Sequence, residues 1–167
     1  MSNGPVTAGD RTAAAGPTIA ASAVVVGAAN VGEHALIAEG AVIRSSDAAV
    51  EVGTGSALLE NSVMVGTADI PTRVGRRTTF GHRCLVIGAT IGDLCEIGNA
   101  SIFMPGSRVG DRVFLGEGTV VPGWMTLPSD VVAVGRPARV IRSVSADDST
   151  ASATCVTATS PSHRQRR

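Results

Sequence analysis

A period of six residues dominates this chain. Aliphatic or large apolar residues fall at Ile19, Val25, Val31, Ile37 and Ile43, then at Val52, Leu58 and Met64, then at Val74, Phe80 and Val86. The series resumes at Ile91, Ile97, Phe103, Val109, Leu115, Val121 and Leu127. Of the 17 intervals 14 are six, and the others are nine, ten and five. Six fits neither the 3.6-residue turn of a helix nor the open-ended alternation of a long strand. It fits short strands joined by tight turns. Gly follows the apolar residue in eight of the eighteen slots (32, 53, 75, 81, 92, 98, 110 and 116), which predicts that glycine supplies backbone freedom at the corners. Four residues after most apolar slots stands a small side chain: Ala23, Ala29, Ala35, Ala41, Ser56, Ser62, Cys84, Thr90, Cys95, Ser101, Ser107 and Thr119. Three such units close one coil, and stacked coils pile like residues into an interior column. Eighteen slots make about six coils of an all-β parallel β-helix.

Composition agrees. Hydrophobic residues make up 44% of the 167 residues but aromatics only 2%, as a narrow core of Val, Ile, Leu and Ala requires. The length argues for one domain. All 14 basic residues are Arg, and 14 acids cancel them. The absence of Lys excludes Schiff-base chemistry and a phosphate-loop lysine. Three of the Arg (164, 166 and 167) crowd the C-terminus, so residues 1–163 carry 11 Arg against 14 acids, a net −3. No electrostatic footprint for nucleic acid remains. Three cysteines without close pairing are not a disulfide framework. No apolar run approaches the roughly 20 residues that span a bilayer. The run from Ile19 to Ala29 follows Asp10 and lacks a basic start, so it reads as repeat and not as a signal peptide. A cytoplasmic protein is expected. Residues 1–17, rich in Gly, Ala, Thr and Pro, and 143–167, rich in Ser, Thr and Ala, lack the period. They read as a flexible arm and tail around a repeat domain at 18–142, with too few apolar side chains in the tail for a packed helix.

The repeat resembles that of the hexapeptide-repeat proteins, whose parallel β-helix is left-handed, and Val134–Arg142 (VGRPARVIR) resembles the segment with which they leave the helix. A narrower resemblance, to the γ-class carbonic anhydrases, rests on the stretch from Val42 to Asp93. The family's IRGD corresponds to Ile43-Arg44-Ser45-Ser46. Its QDGSV corresponds to Leu59-Glu60-Asn61-Ser62-Val63, and its GH to Gly81-His82. The resemblance implies a trimer with a cleft between subunits, where the family binds zinc through three His. Carried over, those three positions are Val65, His82 and Ile87. Val and Ile offer no lone pair, and zinc needs three N, S or O ligands plus water. Zinc-dependent CO2 hydration is therefore not expected, nor is any cofactor. The family's solvent-orienting Gln and Asp are Leu59 and Glu60 here, and the Asp of IRGD is Ser46.

What remains is a sparse polar set. His82 is a candidate general base, Arg44 a candidate carboxylate holder, and Glu60 an orienting group. Asp69, Arg76 and Arg77 are candidate substrate contacts for an anionic metabolite. Each has a plainer reading: His82 as a relic hydrogen-bonding across the trimer, Arg44 as the partner of an acid, Arg76 and Arg77 as a solvated corner. His34 is expected at an exposed corner, Cys84 and Cys95 as inert core thiols, Cys155 as an exposed tail thiol, and Trp124 as a cap over the open end. Three functions follow. The first is a metal-independent trimeric enzyme acting on a small carboxylated or acylated metabolite. The second is an acyltransferase using acyl-CoA. The third is a non-catalytic trimeric scaffold.

Overall fold

The computed structural model describes residues 16–145 and 148. The first coil is β1 (Thr18–Ile19), β2 (Val24–Val26) and β3 (Ala29–Val31); the second is β4 (Leu36–Ile37), β5 (Val42–Ser45) and β6 (Val50–Val52). The third is β7 (Ala57–Leu58), β8 (Val63–Gly66) and β9 (Thr72–Val74), and the fourth β10 (Thr79–Phe80), β11 (Leu85–Ile87) and β12 (Thr90–Ile91). The fifth is β13 (Glu96–Ile97), β14 (Ile102–Phe103) and β15 (Arg108–Val109), and the sixth β16 (Phe114–Leu115), β17 (Val120–Val121) and β18 (Thr126–Leu127). Every apolar slot of the six-residue series lies in a strand. Strands three apart in sequence pair in parallel and form three faces: face 1 from β1 to β16, face 2 from β2 to β17 and face 3 from β3 to β18. β19 (Val131–Val134) adds to face 1, and β20 (Arg139–Ser143) turns back antiparallel on it, so VGRPARVIR is the exit hairpin. The expected arm and tail fall almost wholly outside the described residues.

The slot residues form the interior column. Ile37, Ile43, Leu58, Met64, Val86, Phe103 and Val121 are wholly buried, and Phe80 and Phe103 meet edge to face with centroids 6.0 Å apart. The small interior residues take the remaining width and hydrogen-bond across coils. Ser56 Oγ donates to the Gly75 carbonyl at 2.7 Å, Ser62 Oγ to that of Gly81 at 2.9 Å, and Thr78 Oγ1 to that of Gly92 at 2.8 Å. Burial with satisfied hydroxyls is what lets Ser and Thr occupy a core. Thr90 departs from the expected pattern. The five-residue interval moves it into the outward row beside Arg73 and Arg108, and Ala89 takes the interior place.

Glycine does a different job from the one its spacing suggested. None of the eight slot-following glycines has a positive φ. Instead a Cβ on Gly53 would stand 2.3 Å from the Gly75 carbonyl oxygen, and one on Gly75 would stand 2.5 Å from Gly92 C. These glycines permit close stacking of coils. The left-handed position comes two residues later and is filled mostly by side-chain-bearing residues, among them His34, Asn61, Arg77, Arg83, Leu94, Ala100, Arg112 and Asp130. Trp124 is also misread by its position. It is 78% exposed and so does not pack as a cap over the described residues.

Candidate functional site

His82 and Glu60 each stand two residues after a face 1 column residue, Phe80 and Leu58. They therefore stack in adjacent coils at the corner leading from face 1 to face 2. His82 Nδ1 lies 2.8 Å from Glu60 Oε2, with the imidazole 53% exposed. That carboxylate oxygen is itself buried, although the Glu60 side chain is 42% exposed, and it accepts no well-aligned hydrogen bond, so the contact is one of ion-pair distance. The backbone beneath is held on both sides: the His82 N–H donates to Asn99 Oδ1 at 2.8 Å, and its carbonyl accepts from the Ala100 N–H at 2.8 Å.

Arg44 sits elsewhere on face 2. Strand pairing aligns Arg44 with Val65 and Val65 with Ile87, so all three share one outward row at the face 3 end of the strands. Their inward neighbours Ile43, Met64 and Val86 fill the column. Arg44 is exposed, and in one chain the width of face 2 separates it from His82. Asp69 lies exposed in the turn closed by the mutual bonds of Thr67 and Ile70, at the corner between faces 2 and 3. Arg76 and Arg77 occupy the third corner. The guanidinium and backbone N–H of Arg76 both bind the Asp93 carboxylate, at 2.9 and 2.8 Å. These bonds, the backbone one foremost, hold the Asp93 carboxyl below its ordinary range. A shallow groove of about 590 Å³ beside them is lined by Asn30, Glu51, Thr54 and Arg76. One chain thus joins His82 to Glu60 and aligns Arg44 with Val65 and Ile87. It leaves Asp69, Arg76 and Arg77 apart from both groups.

The positions that resemble the zinc ligands do not fit the metal. Val65, His82 and Ile87 supply one lone-pair donor, and among the described residues no group of three or more His, Cys, Asp or Glu converges anywhere. Cys84 and Cys95 are buried, and burial pushes both thiols up to about 11, consistent with packing roles. His34 is exposed at its corner as expected.

One feature escaped the reading of the sequence. The outward residue just before each face 2 slot is aliphatic in all six coils: Val24, Val42, Val63, Leu85, Ile102 and Val120. The corresponding row of face 3 is Asn30, Glu51, Arg73, Thr90, Arg108 and Thr126. The signal was present as one aliphatic per coil, at intervals of 17 to 22 residues, hidden because the strongest period is six.

Faces, column and exit hairpin define the class, a parallel β-helix built of hexapeptide repeats. Solved structures of that class align with it: a hexapeptide transferase family protein from Anaplasma phagocytophilum, with a TM-score of 0.59 and 24% identity over 84% of this chain and 86% of that one, and a perosamine N-acetyltransferase mutant from Caulobacter crescentus, at 0.57 and 24% over 76% and 57%. At such identity they establish the fold alone. No family model matches the chain. It is 30% identical over 138 residues to a carbonic anhydrase of Geobacillus kaustophilus, covering 79% of this chain and 76% of the relative. It is 29% identical over 136 residues to the mitochondrial gamma carbonic anhydrase 1 of Arabidopsis thaliana, and 28% over 127 residues to the carnitine operon protein CaiE of Escherichia coli. These alignments cover 78% and 76% of this chain but 50% and 65% of those relatives, so the chain spans about half the length of the plant protein. The chain belongs to the γ-carbonic-anhydrase-like branch of the hexapeptide-repeat proteins.

Proposed function

We propose that the chain works as a homotrimer in which His82, oriented by Glu60, is the general base for a small carboxylated or acylated metabolite held by Arg44 of a neighbouring subunit. The observation that carries this reading is the 2.8 Å contact between His82 Nδ1 and the buried Glu60 oxygen. An imidazole in contact with a carboxylate at Nδ1 and exposed at its edge presents Nε2 to take a proton from water or an acceptor hydroxyl. The guanidinium of Arg44 suits a carboxylate. The aliphatic row on face 2 supports the trimer, because an apolar stripe of this length favours cover by protein. Face 2 is also where Arg44, Val65 and Ile87 lie. The reaction runs without zinc, since two of the three positions that would hold it are hydrocarbon. Asp69, Arg76 and Arg77 join the site only across a subunit boundary, with Arg76 already engaged by Asp93. Among the described residues no helix is long and apolar enough to cross a membrane, and two free buried thiols fit a cytoplasmic setting.

The test is hydrolysis of p-nitrophenyl acetate and of acetyl-CoA in the presence of a chelator. His82→Ala is expected to lower the rate by about 10²–10⁴-fold, and Glu60→Gln less, with a displaced pH profile. Variants as active as the wild type would remove the general base. Acyl transfer from acetyl-CoA to an added amine, lost in His82→Ala, would select the acyltransferase reading. The apolar face 2 gives the second reading its footing: a trimer inert in every assay is a scaffold.

A further inference from the structure

β1, β2 and β3 are the outermost strands of their faces, so the first coil presents three open strand edges arranged on a triangle. Of the column residues there, Ile19 is 47% and Val25 39% exposed, and the outward-facing Val24 and Val26 are 49 and 51% exposed. The opposite end differs. Val121 and Leu127 are buried, and the chain adds β19 and β20 beyond them. Strand edges left open to water are ordinarily guarded by charges, prolines or bulges. Here residues 12–32 contain no Asp, Glu, Lys, Arg or His, their one proline, Pro17, precedes β1 and lies in none of the three edge strands, and the pairing of the first coil is regular. In residues 1–15 the apolar side chains larger than alanine are Met1, Pro5 and Val6.

A second first coil matches this surface on every count. A copy related by a twofold axis perpendicular to the helix axis brings three strand edges on the same triangle. They run antiparallel to their mates, as backbone pairing between edges allows. It sets the end of one apolar column on the end of the other, and no charge meets a like charge. We propose that two copies of this chain dock end to end through their first coils. A trimer with parallel subunits carries three ends on one side, so two trimers close into a hexamer whose three contacts act together. That hexameric form rests on the trimer proposed above; the end contact itself does not.

The test is sedimentation of the full chain, with Thr18→Lys/Asn30→Lys placing charges on two of the three edges at residues that are exposed and away from face 2. The wild type is expected as a hexamer and the double variant as a trimer, half the mass, with unchanged circular dichroism. A wild-type dimer split by the lysines would uphold the end contact and sink the trimer. A wild-type trimer would sink the end contact and leave the trimer standing; a monomer would sink both. Doubling of the mass only after deletion of residues 1–15 would assign the cover to that segment and overturn the proposal.

Discussion

Replacing Gly53 by Ala separates two explanations of the corner glycines. Gly53 has no positive φ, so left-handed strain is not at issue. Its added Cβ would stand 2.3 Å from the Gly75 oxygen, 2.5 Å from Gly75 C and 2.8 Å from Arg76 N, where comfortable contact begins near about 3.5 Å. All three are backbone atoms of the next coil, which cannot rotate aside. The coils must part locally, and that loosens the Gly53 N–H bond to the Val74 carbonyl (2.9 Å) and the Ser56 Oγ bond to the Gly75 carbonyl (2.7 Å). Two bonds at about 1 kcal/mol each and overpacking of about 1–3 kcal/mol give about 3–5 kcal/mol. Gly55→Ala is the control. Gly55 has φ +70°, and its Cβ would meet only Arg77 Cγ at 3.4 Å. A left-handed Cβ costs about 1–2 kcal/mol, offset by about 0.4–1 kcal/mol from a stiffer unfolded chain, so about 1 kcal/mol remains. Urea titration of both variants measures the difference; if unfolding is irreversible, the thermal midpoint serves, falling by on the order of 10 °C for Gly53→Ala and a few degrees for Gly55→Ala. A Gly55→Ala cost equal to or above that of Gly53→Ala would refute close approach as the reason for these glycines.

Two further outcomes follow from buried chemistry. Cys84 and Cys95 titrate near 11 when folded against an ordinary value of 9.0. The neutral thiol is favoured by the fold, so its contribution is intact below pH 9 and is lost as pH rises toward 11. Stability measured across that window should fall, less steeply in Cys84→Ala/Cys95→Ala, and a thiol reagent should leave both groups unmodified in the native protein at pH 8. Val65→His with Ile87→His would set two imidazoles side by side on paired strands, completed by His82 of a neighbour. Zinc titration should then show weak binding and stopped-flow assay poor CO2 hydration, because Leu59 offers no hydrogen bond to fix the new ligands; stoichiometric zinc in the wild type would overturn the metal-free reading.

The coil count, the strand positions and the interior column were legible because each face must place an apolar residue in the column once per coil, and 14 of the 17 intervals between those residues are six. The adjacency of Glu60 and His82 was legible only through resemblance, since no local pattern links residues 22 apart. What escaped was set by neighbours a coil away. The role of Gly53 depends on the backbone of Gly75, the isolation of Arg76 from His82 on which corner each occupies, and the 78% exposure of Trp124 on how the last coil's corner projects. Outward rows are read across coils, and a one-dimensional scan weights them no more than noise.

The three irregular intervals, nine, ten and five residues, all occur between faces 2 and 3, in the second, third and fourth coils. Even so Val52, Val74 and Ile91 stack in unbroken register. That edge is an expansion joint. Length can be added or removed there without disturbing the pairing of any face, whereas one residue inserted within a strand would turn its side chains inside out. A foreign peptide spliced between Thr67 and Ile70 would be carried as a side loop on an intact prism, which makes this edge the natural mount for a tag, a fluorophore or an engineered binding loop.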